Sequence, residues 1–166
     1  MYILYYFDNN NSGDNMPLEN IMSKDLIVAN INDNLNDVAH LMREYDIGFI
    51  PIAKDQKIVG VITDRDIVIN CITNNDENAC IENYMNRNLI TIDKNENVND
   101  AIELMGKHKV KRLLVSNNGY LAGIVSLSDI IKTNVDKNLF IDNLKKMWEI
   151  TRNNDQITPK VNEFKL

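Results

Sequence analysis

The chain has 166 residues, a hydrophobic fraction of 44% and a net charge of −6. That length holds one ordinary domain or two small halves sharing a core, and the acidic balance argues against a general nucleic-acid or anionic-membrane surface, which needs clustered Lys and Arg. No stretch approaches the roughly 18 consecutive apolar residues of a membrane span, and the apolar start lacks the basic flank and cleavage site of a secretion signal.

Residues 1–16 look unlike the rest, since Tyr5, Tyr6 and Phe7 are followed by a polar, turn-like run. They are expected to be a flexible leader, with Met16 as a candidate natural start. Residues 17–72 form a first unit. It opens with a helical turn at 17–23 and a short strand at 26–29. Asn34 then caps a helix, with Asp37 at its third position, and Leu35, Val38, Ala39, Leu41 and Met42 share helical spacing. A strand at 47–53, a turn at 54–57 and a strand at 58–62 lead into a second helix at 64–71.

Residues 73–80 are a linker, and residues 81–134 repeat the pattern. A strand at 89–92 precedes a helix capped by Asn97, with Val98, Ala101, Ile102, Leu104 and Met105 on its apolar side. A strand at 111–115, a hairpin turn at Asn117, Asn118 and Gly119, a strand at 121–125 and a closing helix from Leu127 complete it. Residues 135–152 read as an extra amphipathic helix, with Leu139, Phe140, Leu144, Met147 and Trp148 near one side, expected to pack on its own module or a dimer mate. The polar tail 153–166 is expected to be loose.

The two units align without a gap at a shift of 63 residues. Met22 falls on Met85, Asn36 and Asp37 on Asn99 and Asp100, Gly60 on Gly123, and Asp66 and Ile67 on Asp129 and Ile130. One structural unit has been duplicated, and a ligand site is expected twice or between the copies. A repeat of this size is marginal alone, and two copies packed together relieve that.

Each repeat ends with Gly, two β-branched apolar residues, a hydroxyl residue and, three positions on, Asp. The copies are Gly60 to Asp66 and Gly123 to Asp129. Structurally, Thr63 and Ser126 suit helix N-caps, with Asp66 and Asp129 closing a capping-box variant. The same geometry suits a ligand. A helix N-terminus offers N–H groups to an anion, the hydroxyl can meet a phosphate or sugar oxygen, and the carboxylate can accept both ribose hydroxyls. The glycine would let a planar base approach the backbone.

The unit order, this ending and the tandem copies resemble a pair of CBS domains, the cystathionine-β-synthase type of module, over about residues 18–133. The runs at 42–48 and 63–67 resemble stand-alone bacterial CBS-pair proteins, and those at 110–113 and 123–130 an adenylate-sensing repeat of kinase gamma subunits. The resemblance implies an α/β fold of two strand–helix–strand–strand–helix repeats in one pseudo-twofold pair. It also implies a regulatory, non-catalytic module in the cytoplasm, commonly a homodimer, binding AMP, ADP, ATP or S-adenosylmethionine and signalling to an effector protein. No cofactor or metal is implied.

Carried onto this sequence, the family pattern implies two clefts. In the first, Thr63 and Asp66 would hold the ribose and Arg65 would reach phosphate. Gly48, Phe49 and Ile50 would lie nearby, with Val110 and Lys111 approaching from the second repeat. In the second, Ser126, Ser128 and Asp129 would hold the ribose side and Lys111 and Arg112 the phosphate, with Asp33, Ile47 and Gly48 approaching from the first. Because Lys111 and Arg112 align with Gly48 and Phe49, the second cleft is expected to be the better phosphate binder. The alternative is an interaction or scaffold protein with empty clefts.

Other residues point to no chemistry. Cys71 and Cys80 read as reduced thiols, with a linker disulfide as the alternative. His108 suits a helix end, His40 a helix surface, and Met42 and Met105 the core. No nucleophile–base pair or phosphate-cradling glycine loop supports an enzyme.

Overall fold

Each repeat sends its leading segment across to the other. The computed structural model describes residues 16–74 and 78–153, with side chains at 71–74 and 149–153 excepted. Residues 1–15 of the expected leader 1–16, the middle of the linker, the tail from 154 onward and the pairing of Cys71 with Cys80 therefore lie outside the described residues. Cys80 itself donates its thiol to the Ile31 carbonyl at 3.1 Å.

The first repeat contains β1 (Ala29–Asn30), α1 (Leu35–Glu44), β2 (Phe49–Lys54), β3 (Lys57–Thr63) and α2 (Asp64–Asn74). The second contains β4 (Thr91–Asp93), α3 (Val98–His108), β5 (Arg112–Asn117), β6 (Tyr120–Ser126) and the single-turn α4 (Leu127–Ile130), followed by α5 (Lys137–Asn153). Each makes a three-stranded sheet, ordered β1-β2-β3 and β4-β5-β6. Within a sheet the first pair is parallel and the second antiparallel. Both hairpins carry a register shift at the same place, after Ile52 and after Val115.

Local chemistry explains these elements. The Asn34 side chain accepts the Asp37 N–H at 2.9 Å to start α1, and Asn97 with Asp100 forms a full capping box on α3. Leu35, Val38 and Met42 turn one face of α1 into the core. Both hairpins use two residues with positive φ, Asp55 and Gln56, then Asn118 and Gly119. That pairing matches the primed turns that suit the strand twist. The first strand of each repeat pairs later than its apolar run suggests, at Ala29 and Thr91 rather than from Leu26 and Leu89.

The crossing segments are symmetric. Leu18, in a 3-10 turn, is fully buried in the second repeat's core, and Ile81, its equivalent, in the first repeat's core. Their backbone N–H groups donate to Glu96 and Asp33 carbonyls, each at 2.9 Å. Further on, Ser23 exchanges two backbone hydrogen bonds with Ile124 at 2.9 and 3.0 Å, and Asn86 does the same with Val61 at 2.8 and 2.9 Å. Lys94, just past β4, pairs with Glu19 at 2.8 Å. Each core thus holds apolar side chains from both halves of the chain.

The extra helix lies against α3. Leu139, Phe140 and Met147 pack on the second core, but Trp148, expected on the same side, is 66% exposed. Asn143 is buried instead, its amide donating to the Leu139 carbonyl at 2.9 Å. It sits against Gly106, where a Cβ would leave it no room.

Candidate ligand-binding clefts

The hydroxyl–carboxylate pairs form as capping boxes. Thr63 ends β3, and its hydroxyl donates to Asp66 Oδ2 at 2.7 Å while its N–H donates to the same oxygen at 3.0 Å. The Asp66 N–H returns to the Thr63 hydroxyl at 3.2 Å. Ser126 and Asp129 repeat this, with N–H contacts at 2.9 and 3.3 Å, and Ser128 adds its hydroxyl to that of Ser126 at 2.7 Å. In both boxes Oδ2 is committed. Oδ1 of Asp66 has no hydrogen bond among the described residues, and Oδ1 of Asp129 faces Lys132 at 3.8 Å. Because α4 has only one turn, the second cleft lacks the long helix, and hence the helix dipole, that the first has behind it.

Each box opens on a cleft between the repeats. The first cleft, about 370 Å³, is lined by Thr63, Asp64, Arg65 and Asp66 from one repeat and by Lys109, Val110, Lys111 and Arg112 from the other. The second, about 480 Å³, is lined by Ser126, Ser128 and Asp129 with Asp25, Asp46, Ile47 and Gly48 across from them. Phe49 and Arg112 line both. These two are equivalent under the 63-residue shift, so they meet at the pseudo-twofold axis, the guanidinium carbon 5.9 Å from the ring centroid. They are the shared wall between the clefts. A larger cavity of about 850 Å³ by the hairpin turns contains none of the expected site residues.

Several expectations need correction. Ile50 lines neither cleft, because its side chain is fully buried in the first core. Asp33 also lines neither: its carboxylate accepts the Asn30 N–H at 2.8 Å and shapes its own turn. Gly48 belongs to the second cleft, and the Asp64 carboxylate lies where its Cβ would be, at 2.7 Å. Lys111 lines the first cleft and, with Arg112, Ser126 and Ser128, a further pocket of about 410 Å³ on the other side of the Ser126 box, but not the second cleft itself. Gly60 and Gly123 do not make room for a base. The places their Cβ atoms would occupy are filled by the Met85 and Met22 sulfurs, each at 2.5 Å.

The linings of the two clefts differ in charge. Four cations face the first, Arg65, Lys109, Lys111 and Arg112, against Asp64 and Asp66. The second has Arg112 alone against Asp25, Asp46 and Asp129. The difference comes from substitutions between the repeats. Under the shift, Lys109 matches Asp46, Lys111 matches Gly48, Arg65 matches Ser128 and Asn88 matches Asp25. Lys109 and Asp46 both sit at the ends of their helices with φ of 57° and 51°. Sequence reasoning missed Asp25, Asp46 and Lys109, although the repeat alignment contained the signal. Among the described residues no group of His, Cys, Asp and Glu could hold a metal ion, and no helix is long and apolar enough to cross a membrane.

Comparison with known proteins gives the following. The family model for the CBS domain matches twice, at residues 18–71 and 81–136. An uncharacterized protein of Methanopyrus kandleri is 31% identical over 116 residues, 68% of this chain, and the chain spans 59% of that protein's length. The crystal structure of an uncharacterized conserved protein from Pyrococcus horikoshii superposes with a TM-score of 0.67 at 28% identity, covering 72% of this chain and 92% of that one. The CBS domain pair of protein MJ0100, in complex with 5′-methylthioadenosine and S-adenosyl-L-methionine, superposes with a TM-score of 0.64 at 29% identity, covering 70% and 94%.

Proposed function

The chain belongs to the CBS-domain family, and we propose that its pair of repeats is a cytoplasmic regulatory module. It senses an adenosine-containing ligand, an adenine nucleotide or S-adenosylmethionine, in the clefts between the repeats and passes a change in their relative orientation to an effector protein. The observation that carries this reading is the pair of hydroxyl–carboxylate boxes, each opening on a cleft walled by the opposite repeat. The similar MJ0100 pair, which holds adenosine compounds, supports it. In the first cleft Thr63 and Asp66 would hold the ribose; in the second Ser126, Ser128 and Asp129 would do so. A ligand touching both repeats drives reorientation only by its differential affinity for the two arrangements. Two copies would assemble as a homodimer, a reading supported by Val68 on α2 and its equivalent Ile131 just after α4, apolar residues that are 56% and 62% exposed.

A scaffold with empty clefts is the second reading. It is favoured by the boxes themselves, whose hydroxyls and Oδ2 atoms are already satisfied within the chain. Thermal-shift screening with AMP, ADP, ATP, S-adenosylmethionine and NADH separates the two. A raised melting temperature with an adenosine compound is expected; no shift with any of them supports the scaffold.

A further inference from the structure

We infer that the two clefts select ligands of opposite charge: the first takes a nucleoside polyphosphate, and the second a nucleoside without phosphate, uncharged or cationic. The inference rests on the adenosine-sensing reading above and goes further by assigning a ligand class to each cleft.

Among the described residues, none of Arg65, Lys109, Lys111 and Arg112 forms an ion pair. Four cations against the two carboxylates of Asp64 and Asp66 leave the first cleft with an excess of positive charge. Lys109 and Lys111 approach from the repeat opposite Arg65, so a phosphate chain would meet cations from both walls. In the second cleft Asp25 and Asp46 are likewise unpaired, and both face the Ser126 box from across the gap. A phosphate there would meet the carboxylates of Asp25, Asp46 and Asp129, of which only Asp129 has a cation, Lys132 at 3.8 Å, against one guanidinium that also stacks on Phe49. A sulfonium or ammonium group would find compensating charge in the same place. Four differences between the repeats, Lys109 for Asp46, Lys111 for Gly48, Arg65 for Ser128 and Asn88 for Asp25, push the first cleft toward positive and the second toward negative, and they outnumber the two opposing ones, Asp64 for Leu127 and Ile69 for Lys132.

The test is calorimetric titration of the full chain with ATP and with S-adenosylmethionine. It uses the wild type, Lys109→Asn/Lys111→Gln and Asp25→Asn/Asp46→Asn. Asn tolerates the positive φ at positions 46 and 109. ATP should bind one site per chain, weakened about tenfold or more by the lysine pair of changes and not weakened by the aspartate pair. S-adenosylmethionine should show the opposite pattern and should bind with ATP already present. Competition between the two ligands for one site, two equal ATP sites, or affinities indifferent to both variants would overturn the charge assignment while leaving adenosine sensing in place. No binding of any adenosine compound would overturn both.

Discussion

Gly60 tests whether the cross-repeat packing is what the glycines serve. Replacing it with alanine puts a methyl group 2.5 Å from Met85 Sδ, 2.9 Å from Cγ and 3.2 Å from Cβ. Gly60 has no positive φ, so alanine brings no backbone strain. Overpacking of a filled site costs about 1–3 kcal/mol, and alanine regains about 0.5–1 kcal/mol of strand preference over glycine. The net loss should be at most about 2.5 kcal/mol, with Met85 relieving part of the clash by rotating its thioether. Met85→Ala alone should cost about 2–5 kcal/mol, as for other buried truncations. In that background the sulfur and Cγ are gone, and Gly60→Ala should become neutral or slightly stabilising. Residue 85 Cβ stays 3.2 Å away and limits the gain. The double-mutant cycle should therefore show a coupling of about 1–3 kcal/mol with a change of sign, against the roughly 0.3–0.5 kcal/mol scatter of independent sites. Urea unfolding of the four variants measures it from midpoints at constant slope. Equal costs in both backgrounds would refute the packing role and return Gly60 to a ligand role.

Gly123→Ala should cost more than Gly60→Ala and be rescued less by Met22→Ala, because the Ser23 carbonyl, fixed by its hydrogen bonds to Ile124, lies 2.9 Å from the new methyl; matching midpoints for the two alanine variants would contradict this. Gly106→Ala should drive a methyl into Asn143 and loosen α5 by about 1–3 kcal/mol, read as faster hydrogen exchange along α5 with the sheets still protected; unchanged α5 protection would count against it. The Lys94 ammonium beside Glu19, by hydrogen bond and by attraction, holds that carboxyl below its ordinary value of 4.5, with Lys24 adding a little. Its contribution is therefore complete above pH 4.5 and is lost as pH falls through the lowered value. Lys94→Met should flatten that acid limb of the stability curve, and an unchanged slope between the variants would dismiss the pair.

The fold was legible because its signals are local and occur twice. Asn34 with Asp37 and Asn97 with Asp100 mark helix starts whatever surrounds them. The same holds for Thr63 with Asp66 and Ser126 with Asp129, which is why the centres of both clefts could be named. The apolar pattern could say that Leu18 and Ile81 are buried, but not in whose core, since periodicity carries no partner. Leu26 and Ile27 read as strand because they are apolar; in the fold they line the second cleft before pairing begins at Ala29. Lys111 and Arg112 read as one basic pair of the second cleft, yet both line the first, and of the two only Arg112, at the axis, also lines the second. Side of the wall is a three-dimensional property. Only comparing each residue with its counterpart in the other repeat brings it within reach of sequence.

The exchanged leading segments also bear on how the chain finds its fold. Neither sheet can close its core until a stretch from far along the sequence has arrived, Leu18 beside Glu96 and Ile81 beside Asp33. Closing such loops costs little at equilibrium, since each doubling of length adds only about 0.6 kcal/mol, but long-range contacts slow the search for the native state. A half emerging alone from the ribosome would display an apolar groove shaped for the other's arm. The second half supplies that arm, so the duplication works as an internal chaperone, capping in one chain what a single copy could cover only by finding another molecule.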